Sequence, residues 1–331
     1  MIFNSQFSIL NSKVSTEFIS IIIILLVCSL LFALLDLGVA GLLAWLLHLS
    51  FRRSFLWGLL LLLLPVLLLA YGTLVERNLC RVKQVEITFP TLPASFDGYR
   101  IVHLSDIHCR SFQHRPRALQ HCVDRANALQ PDLIAFTGDI VTLQSDELDS
   151  LLPVLGQLHA PDGIFSVVGN HDYCTYSHEA DGMKHVVRLE EQMGWQVLLN
   201  SHLFLHRGGD SVAVVGVENI STSRHFPTTG KLSKALSGIH GIFTILLSHD
   251  PTHWEYEVLG TNVALTLSGH THGAQTSLLG WSPARYMYHQ YRGLYQKYWQ
   301  YLYVNQGLGE TIFPARIGCP PEVTLITLRR G

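Results

Sequence analysis

Hydrophobic and polar positions divide this chain near residue 75. Ile19 to Leu49 is almost wholly apolar, Phe55 to Tyr71 is apolar again, and Arg52 and Arg53 lie between the two runs. A bilayer core about 30 Å thick needs about 20 apolar helical residues. The pattern therefore predicts that residues 1–75 form a membrane anchor, a helical hairpin with the arginine pair at its turn. A buried globular helix is the alternative, but the runs are long and nearly uncharged for that. A signal peptide has an apolar core of only about 7 to 15 residues. Asp36 interrupts the first run. An acid there is costly in lipid, so it either faces the second helix or marks a break between shorter segments.

Beyond the anchor, apolar runs alternate with amphipathic stretches. Strands are expected over Tyr99–Leu104, Asp132–Phe136 and Gly163–Val168, with helices over Arg117–Leu129, Asp146–Leu158 and His178–Met193. The second half is richer in strands: Trp195–Leu199, Ser211–Val217, Ile242–Leu247, Val263–Leu267, Tyr301–Val304 and Glu322–Leu328. Repeated β-α-β order predicts an α/β domain over residues 83–331, with mixed or parallel sheet and helices outside. The polar stretch Asn219–Lys231, with Pro227, reads as a surface loop.

Charge adds two points. Lys13 precedes the first run and Arg77, Arg81 and Lys83 follow the second, against two arginines at the turn. The positive-inside rule then sets both ends, and the domain that follows, in the cytoplasm. The formal net charge of the 331-residue chain is −2. That argues against a surface built for nucleic acid. Six scattered cysteines with no CxxC spacing fit unpaired thiols in a reducing compartment.

Ligand-type residues fall at the ends of the expected strands. Asp106 and His108 follow the first, Asp139 the second, and Asn170 with His171 the third. His249 follows Ile242–Leu247, and His270 with His272 follow Val263–Leu267. In α/β sheets the crevice beyond strand carboxyl ends is where ligands bind. Carboxylates, imidazoles and an amide oxygen suit divalent ions such as Mn, Fe, Zn or Co. Two such ions about 3.5 to 4 Å apart can clamp both oxygens of an in-line phosphoryl displacement. Each motif alone is ordinary, since Asp-x-His and Gly-Asp are common turns. Gly138, Gly169, Gly269 and Gly273 flank the set and are expected to permit the turns that aim it. His103 reads as packed within its strand. Cys109 and Cys174 border the set, but a nucleophilic role is not expected of them.

The ordered series Asp106-Ile107-His108, Gly138-Asp139, Gly169-Asn170-His171-Asp172, Ser248-His249 and Gly269-His270-Thr271-His272 resembles the calcineurin-like metallophosphoesterase superfamily. The resemblance runs from about Lys83 to the C-terminus. It implies a sandwich of two mixed β-sheets flanked by helices. Position by position, it implies that Asp106, His108 and His272 hold one ion, that Asn170, His249 and His270 hold the other, and that Asp139 bridges both. His171 would meet the phosphate and protonate or stabilise the leaving oxygen, and Asp172 would orient His171.

The tail, with Tyr291-Arg292-Gly293-Leu294-Tyr295, Gly307-Leu308-Gly309, Pro314-Ala315-Arg316 and Pro321-Glu322, resembles the membrane-associated bacterial subgroup. That subgroup includes pyrophosphatases acting on UDP-2,3-diacylglucosamine in lipid A synthesis, at the inner membrane. The implied substrate is a lipid-linked nucleotide and the first-choice metal Mn²⁺. The aromatic run from Trp281 to Tyr303 suits a membrane interface or an acyl-chain groove, or ordinary strand packing. Arg292 and Arg316 are candidates to meet a phosphate, or surface charges. A less selective membrane phosphodiesterase or phosphatase would share the same metal core. A lapsed enzyme serving as a scaffold should have lost ligands, and here every position is filled.

Overall fold

The computed structural model describes residues 26–27, 29–48, 50–61, 63–221 and 225–331. The chain divides into two compact units, Met1–Val75 and Glu76–Gly331. In the first, helix α1 (Ser29–Leu47) and a second helical span that opens with α2 (Phe51–Leu61) and α3 (Leu63–Leu74) are each long and apolar enough to cross a membrane. Leu35, Trp45, Leu67 and most other apolar side chains described there are exposed, so these are not the core helices of a globular unit. The expected start of the first run, with Lys13 and Cys28, lies outside the described residues. The arginine pair is not at the turn: Arg52 and Arg53 already belong to the first turn of α2. Asp36 faces the second helical span, where its carboxylate occupies the space that a side chain at Gly58 would fill.

The second unit begins at Glu76, ahead of the expected Lys83. The Glu76 carboxylate accepts from Gly318 N at 2.8 Å, which ties this start to the chain's far end. Twelve strands form two six-stranded mixed sheets. The first contains β1 (Arg81–Phe89), β2 (Arg100–Leu104), β3 (Leu133–Phe136), β4 (Ile164–Ser166), β5 (Gln196–Val197) and β12 (Glu322–Arg330), in the order β1-β12-β2-β3-β4-β5. The second contains β6 (Ser201–Arg207), β7 (Asp210–Gly216), β8 (Phe243–Leu247), β9 (Val263–Ser268), β10 (Gly293–Lys297) and β11 (Gln300–Val304), in the order β10-β11-β9-β8-β7-β6. Strands β2 to β5 run parallel, as do β7, β8, β9 and β11. The antiparallel pairs are β12 with β2, β6 with β7, and β10 with β11.

Strands covered on both faces read as continuous apolar runs, and here alternate residues feed two cores. Leu133 and Ala135 of β3 point between the sheets with Ile101, Ile245, Leu267 and Ile326. Ile134 and Phe136 point outward to α4 (Pro116–Ala128), α5 (Leu152–Leu155) and α6 (Gly182–Gln192), through Leu119, Leu155 and Val186. The second sheet is covered by α7 (Leu232–Ala235) and a π-helical turn at Trp254–Val258.

Three strands were not expected: β1, β6 and β10. Each lies at or beside a sheet edge, where exposed polar side chains interrupt the apolar pattern. The helix expected over Asp146–Leu158 is instead two 3-10 turns, Ser145–Glu147 and Asp149–Leu151, followed by α5. Pro153 suits only a first helical turn, and the Glu147 carboxylate is drawn back onto the amides of Thr142 and Leu143. Cys80, Cys109, Cys122, Cys174 and Cys319 are free and buried.

Candidate metal centre

The loops after β2, β3, β4, β8 and β9 meet at one rim of the sandwich, three from one sheet and two from the other. Two groups of donor atoms, each within 4.8 Å of one another, form there among the described residues: Asp106, His108 and His272, and Asp139, His249 and His270. His272 Nε2 stands 3.1 Å from His108 Nε2 and 3.2 Å from Asp106 Oδ1. His249 Nε2 stands 3.1 Å from Asp139 Oδ2, 3.1 Å from Asn170 Oδ1 and 3.2 Å from His270 Nδ1. Asp139 Oδ2 is also 3.7 Å from His108 Nε2, so this oxygen lies between the two groups. The structure thus brings together all seven residues expected as ligands.

The backbone is bent to achieve this. Asp106, His108, Asp139, His270 and His272 all have left-handed φ, from +46° to +71°. Such backbone is uncommon outside glycine, though Asp and His tolerate it better than most, and strain of this kind gathers at functional sites. Gly169 and Gly269 contribute closeness rather than turn conformation. A Cβ at Gly169 would overlap the Asp139 carboxylate, and one at Gly269 would overlap Ser105 and Asp106.

Burial and charge act against each other on these groups. Burial alone would raise the Asp139 carboxyl, but His249 and His171 hold it well below the usual carboxylate range. Asp106 is likewise held low by His272 against the pull of burial. Burial would lower His249, yet the Asp139 carboxylate pushes it up to about 10. Carboxylate oxygens and imidazole nitrogens that converge on one point attract protons, and a divalent ion bound there would displace those protons. The set fits two such ions: His249 donates its other ring nitrogen, Nδ1, to Thr137 O at 2.7 Å, which leaves Nε2 for a ligand role. His270 directs Nδ1 inward while its Nε2 meets the Tyr288 hydroxyl at 3.1 Å.

His171 sits at the edge of the cluster, its ring 5.0 Å from that of His108. Its orienting partner is not Asp172. His171 Nδ1 donates to Thr142 O at 2.6 Å. The fully buried Asp172 carboxylate instead accepts from the amides of Asp139, Ile140, Val141 and Gly169, at 2.7 to 3.2 Å. It clamps the Asp139 loop onto the Asn170 loop. Burial and the nearby Asp139 charge push its carboxyl up to about 7, against those amide donors, which favour the anion.

The two arginine candidates are not open to a substrate in the same way. Arg316 is fully buried and donates to the carbonyls of Gln306, Gly309 and Cys319. Its guanidinium joins the loops behind His272. Arg292 donates to Ser277 Oγ at 2.8 Å and Gly280 O at 2.7 Å, at the root of an exposed loop. Burial pushes the Cys109 thiol well above its ordinary range, which disfavours the thiolate. His103 is buried and bonded to Thr137 Oγ1 at 2.9 Å.

Several contributors carry no mark in the sequence. Glu147 holds the amides of Thr142 and Leu143 at 2.6 and 3.0 Å, so the carbonyl that orients His171 is itself fixed. Phe226, on the loop read as generic surface, reaches the His171 ring at 5.7 Å, and Tyr176 flanks the same ring at 5.6 Å. Residues 222–224 of that loop lie outside the described residues.

Two mixed sheets whose loops assemble carboxylates, imidazoles and an amide at one rim define a metal-dependent phosphoester hydrolase. The sequence profile of the calcineurin-like phosphoesterase family matches residues 99–274, and the chain belongs to that family, whose members use two divalent metal ions. The uncharacterized metallophosphoesterase YkuE of Bacillus subtilis is 31% identical over 269 residues, covering 78% of this chain and 89% of that protein. A transmembrane protein with metallophosphoesterase domain from Danio rerio is 33% identical over 292 residues, covering 85% of this chain and 64% of that protein. The UDP-2,3-diacylglucosamine pyrophosphatase LpxG of Chlamydia trachomatis is 28% identical over 320 residues, covering 79% of this chain and 93% of that protein. Apolar helices and membrane relatives together associate this hydrolase with a membrane.

Proposed function

We propose that this enzyme hydrolyses the pyrophosphate of UDP-2,3-diacylglucosamine to UMP and 2,3-diacylglucosamine 1-phosphate, a step of lipid A synthesis. The observation that carries the reading is the LpxG relative, aligned over 93% of its own length, in a chain with two membrane-type helical spans. On this reading residues 1–75 anchor the enzyme in a bacterial inner membrane, with the catalytic domain in the cytoplasm. A lipid substrate explains such anchoring.

Asp106, His108 and His272 would hold one divalent ion and Asn170, His249 and His270 the second, with Asp139 shared. Mn²⁺ is the first choice, and Fe, Zn or Co suit the same donors. Bound ions would neutralise phosphoryl oxygens and supply an activated water. His171, fixed through Nδ1 by Thr142 O, presents Nε2 to the leaving oxygen as a proton donor. Asp172 keeps the Asp139 and Asn170 loops in register.

A broader reading has its own support. YkuE and the Danio rerio protein are more similar in sequence than LpxG, and their names carry no substrate. On that reading the same centre serves a less selective membrane phosphodiesterase or phosphatase. The test is hydrolysis by detergent-purified protein with Mn²⁺, with and without chelator, of UDP-2,3-diacylglucosamine beside an aryl phosphodiester. Chelator-sensitive release of UMP, with poor use of the aryl ester, supports the first reading. Cleavage of the aryl ester alone discards it and leaves the broader one.

A further inference from the structure

Ser277–Met287, a few residues beyond the last candidate ligand and beyond the segment matched by the family profile, carries a cluster of exposed apolar side chains on a base of buried Ser277, Ser282 and Ala284. Its tip is a two-residue hairpin turn. Leu278 and Trp281 exchange backbone hydrogen bonds at 2.8 and 2.9 Å, and between them Leu279 (φ +50°) and Gly280 (φ +87°) both take left-handed backbone. Two-residue turns of this kind favour Asn or Asp before Gly. A leucine there strains the backbone and gains no packing in return, because Leu279 is 108% exposed. Tyr286 and Met287 are 76% and 74% exposed, and Leu278 and Trp281 are 47% and 43% exposed. A monomeric soluble surface seldom clusters such side chains.

The segment is firmly rooted. Arg292 ties Ser277 to Gly280, and Ser282 Oγ donates to Gly273 O at 2.6 Å. Thr271, between two candidate ligands, donates to Tyr291 O at 2.7 Å, and Tyr288 touches His270. The segment that carries the apolar tip is therefore anchored on the loop that carries His270 and His272.

We propose that this segment inserts into the interfacial layer of a lipid bilayer, with Leu278 and Leu279 entering deepest. Two observations select a bilayer as the occupant. β1 begins at Arg81, only a few residues after the second apolar span, so the chain's own connectivity keeps this domain within reach of a membrane. Around the leucines stand Trp281 and Tyr286, with exposed Arg285 beside the Tyr286 ring. This combination of apolar apex, aromatic belt and cation suits lipid acyl chains below and anionic headgroups above. The rest of the aromatic run divides by role: Tyr303 is buried and donates to Glu322, which is strand packing. The inference rests on membrane association and not on the identity of the substrate.

The test is quenching of tryptophan fluorescence in the full chain reconstituted into phosphatidylethanolamine–phosphatidylglycerol nanodiscs, with and without brominated acyl chains. The difference between wild type and Trp281→Phe isolates the Trp281 signal from that of the helices. Insertion predicts that brominated lipid quenches this component. It also predicts that the quenching falls at least about twofold in Leu279→Asn, which removes the apolar tip. Because Asn suits the turn, that variant should keep the wild-type thermal midpoint or exceed it. A Trp281 component equally bright in both lipids overturns the proposal, whether or not the UDP-lipid is hydrolysed.

Discussion

His171 and Asp172 differ in their individual hydrogen bonds. Adjacent in sequence, the two side chains serve different loops: His171 turns to Thr142 O, and Asp172 collects four amides. Their variants should therefore fail differently. Asp139→Ala and His171→Ala should each lower turnover of an aryl phosphodiester by about 10²-fold or more, with the far-ultraviolet circular dichroism of wild type. Retained activity in both would refute the assigned site. Asp172→Asn turns an NH₂ group toward amide donors. It should cost about 2 to 4 kcal/mol and lower the thermal midpoint by several degrees, whereas loss of a simple orienting contact would leave the midpoint in place.

Individual elements add their own constraints. Helix α6 carries Glu190 on its buried face, and burial, with the Asp172 charge added, pushes that carboxyl well above the usual range. A raised folded-state pKa means that the group's contribution to stability is fully present below its unfolded pKa, about 4.3. That contribution is lost as pH rises toward the folded value. Glu190→Gln stays uncharged throughout. Its thermal midpoint relative to wild type should be higher at pH 8 than at pH 4, and a pH-independent difference would contradict the buried-acid account. The edge strands show a second kind of constraint. β6 and β7 are joined at Gly208-Gly209 with Arg207 opposite Asp210, a turn signal visible in the sequence. β1 has no local signal, because its partner β12 comes from the opposite end of the chain.

For the whole molecule, the centre is a joint between two sheets. Asp106, His108, Asp139 and Asn170 come from one, and His249, His270 and His272 from the other. Ions held at this joint bind the native state and not the unfolded chain, so they stabilise it by mass action, by about 2.7 kcal/mol at a hundred times the dissociation constant. Chelation should therefore lower the thermal midpoint as well as abolish activity, and added Mn²⁺ should restore both. An unchanged midpoint after verified metal removal would mean that the sheets hold their loops without the ions.

Local sequence information was sufficient for the long apolar helices and the buried central strands, and it pointed to the donor residues that the fold brings to one rim. Length of apolar run, alternation of buried residues and polar side chains at strand ends are properties of neighbouring residues, legible without knowing what packs where. Where partners are distant, local pattern carries no such information. Tertiary structure alone decided that β1 lies beside β12, that Thr142 and Glu147 support His171, that Phe226 reaches the same ring, and that Arg316 is walled in behind His272. Each of these depends on which of many chemically equivalent carbonyls, edges or cavities comes within a few ångströms once both sheets have closed. That choice is made by long-range packing, which brings together residues with no common signature along the chain.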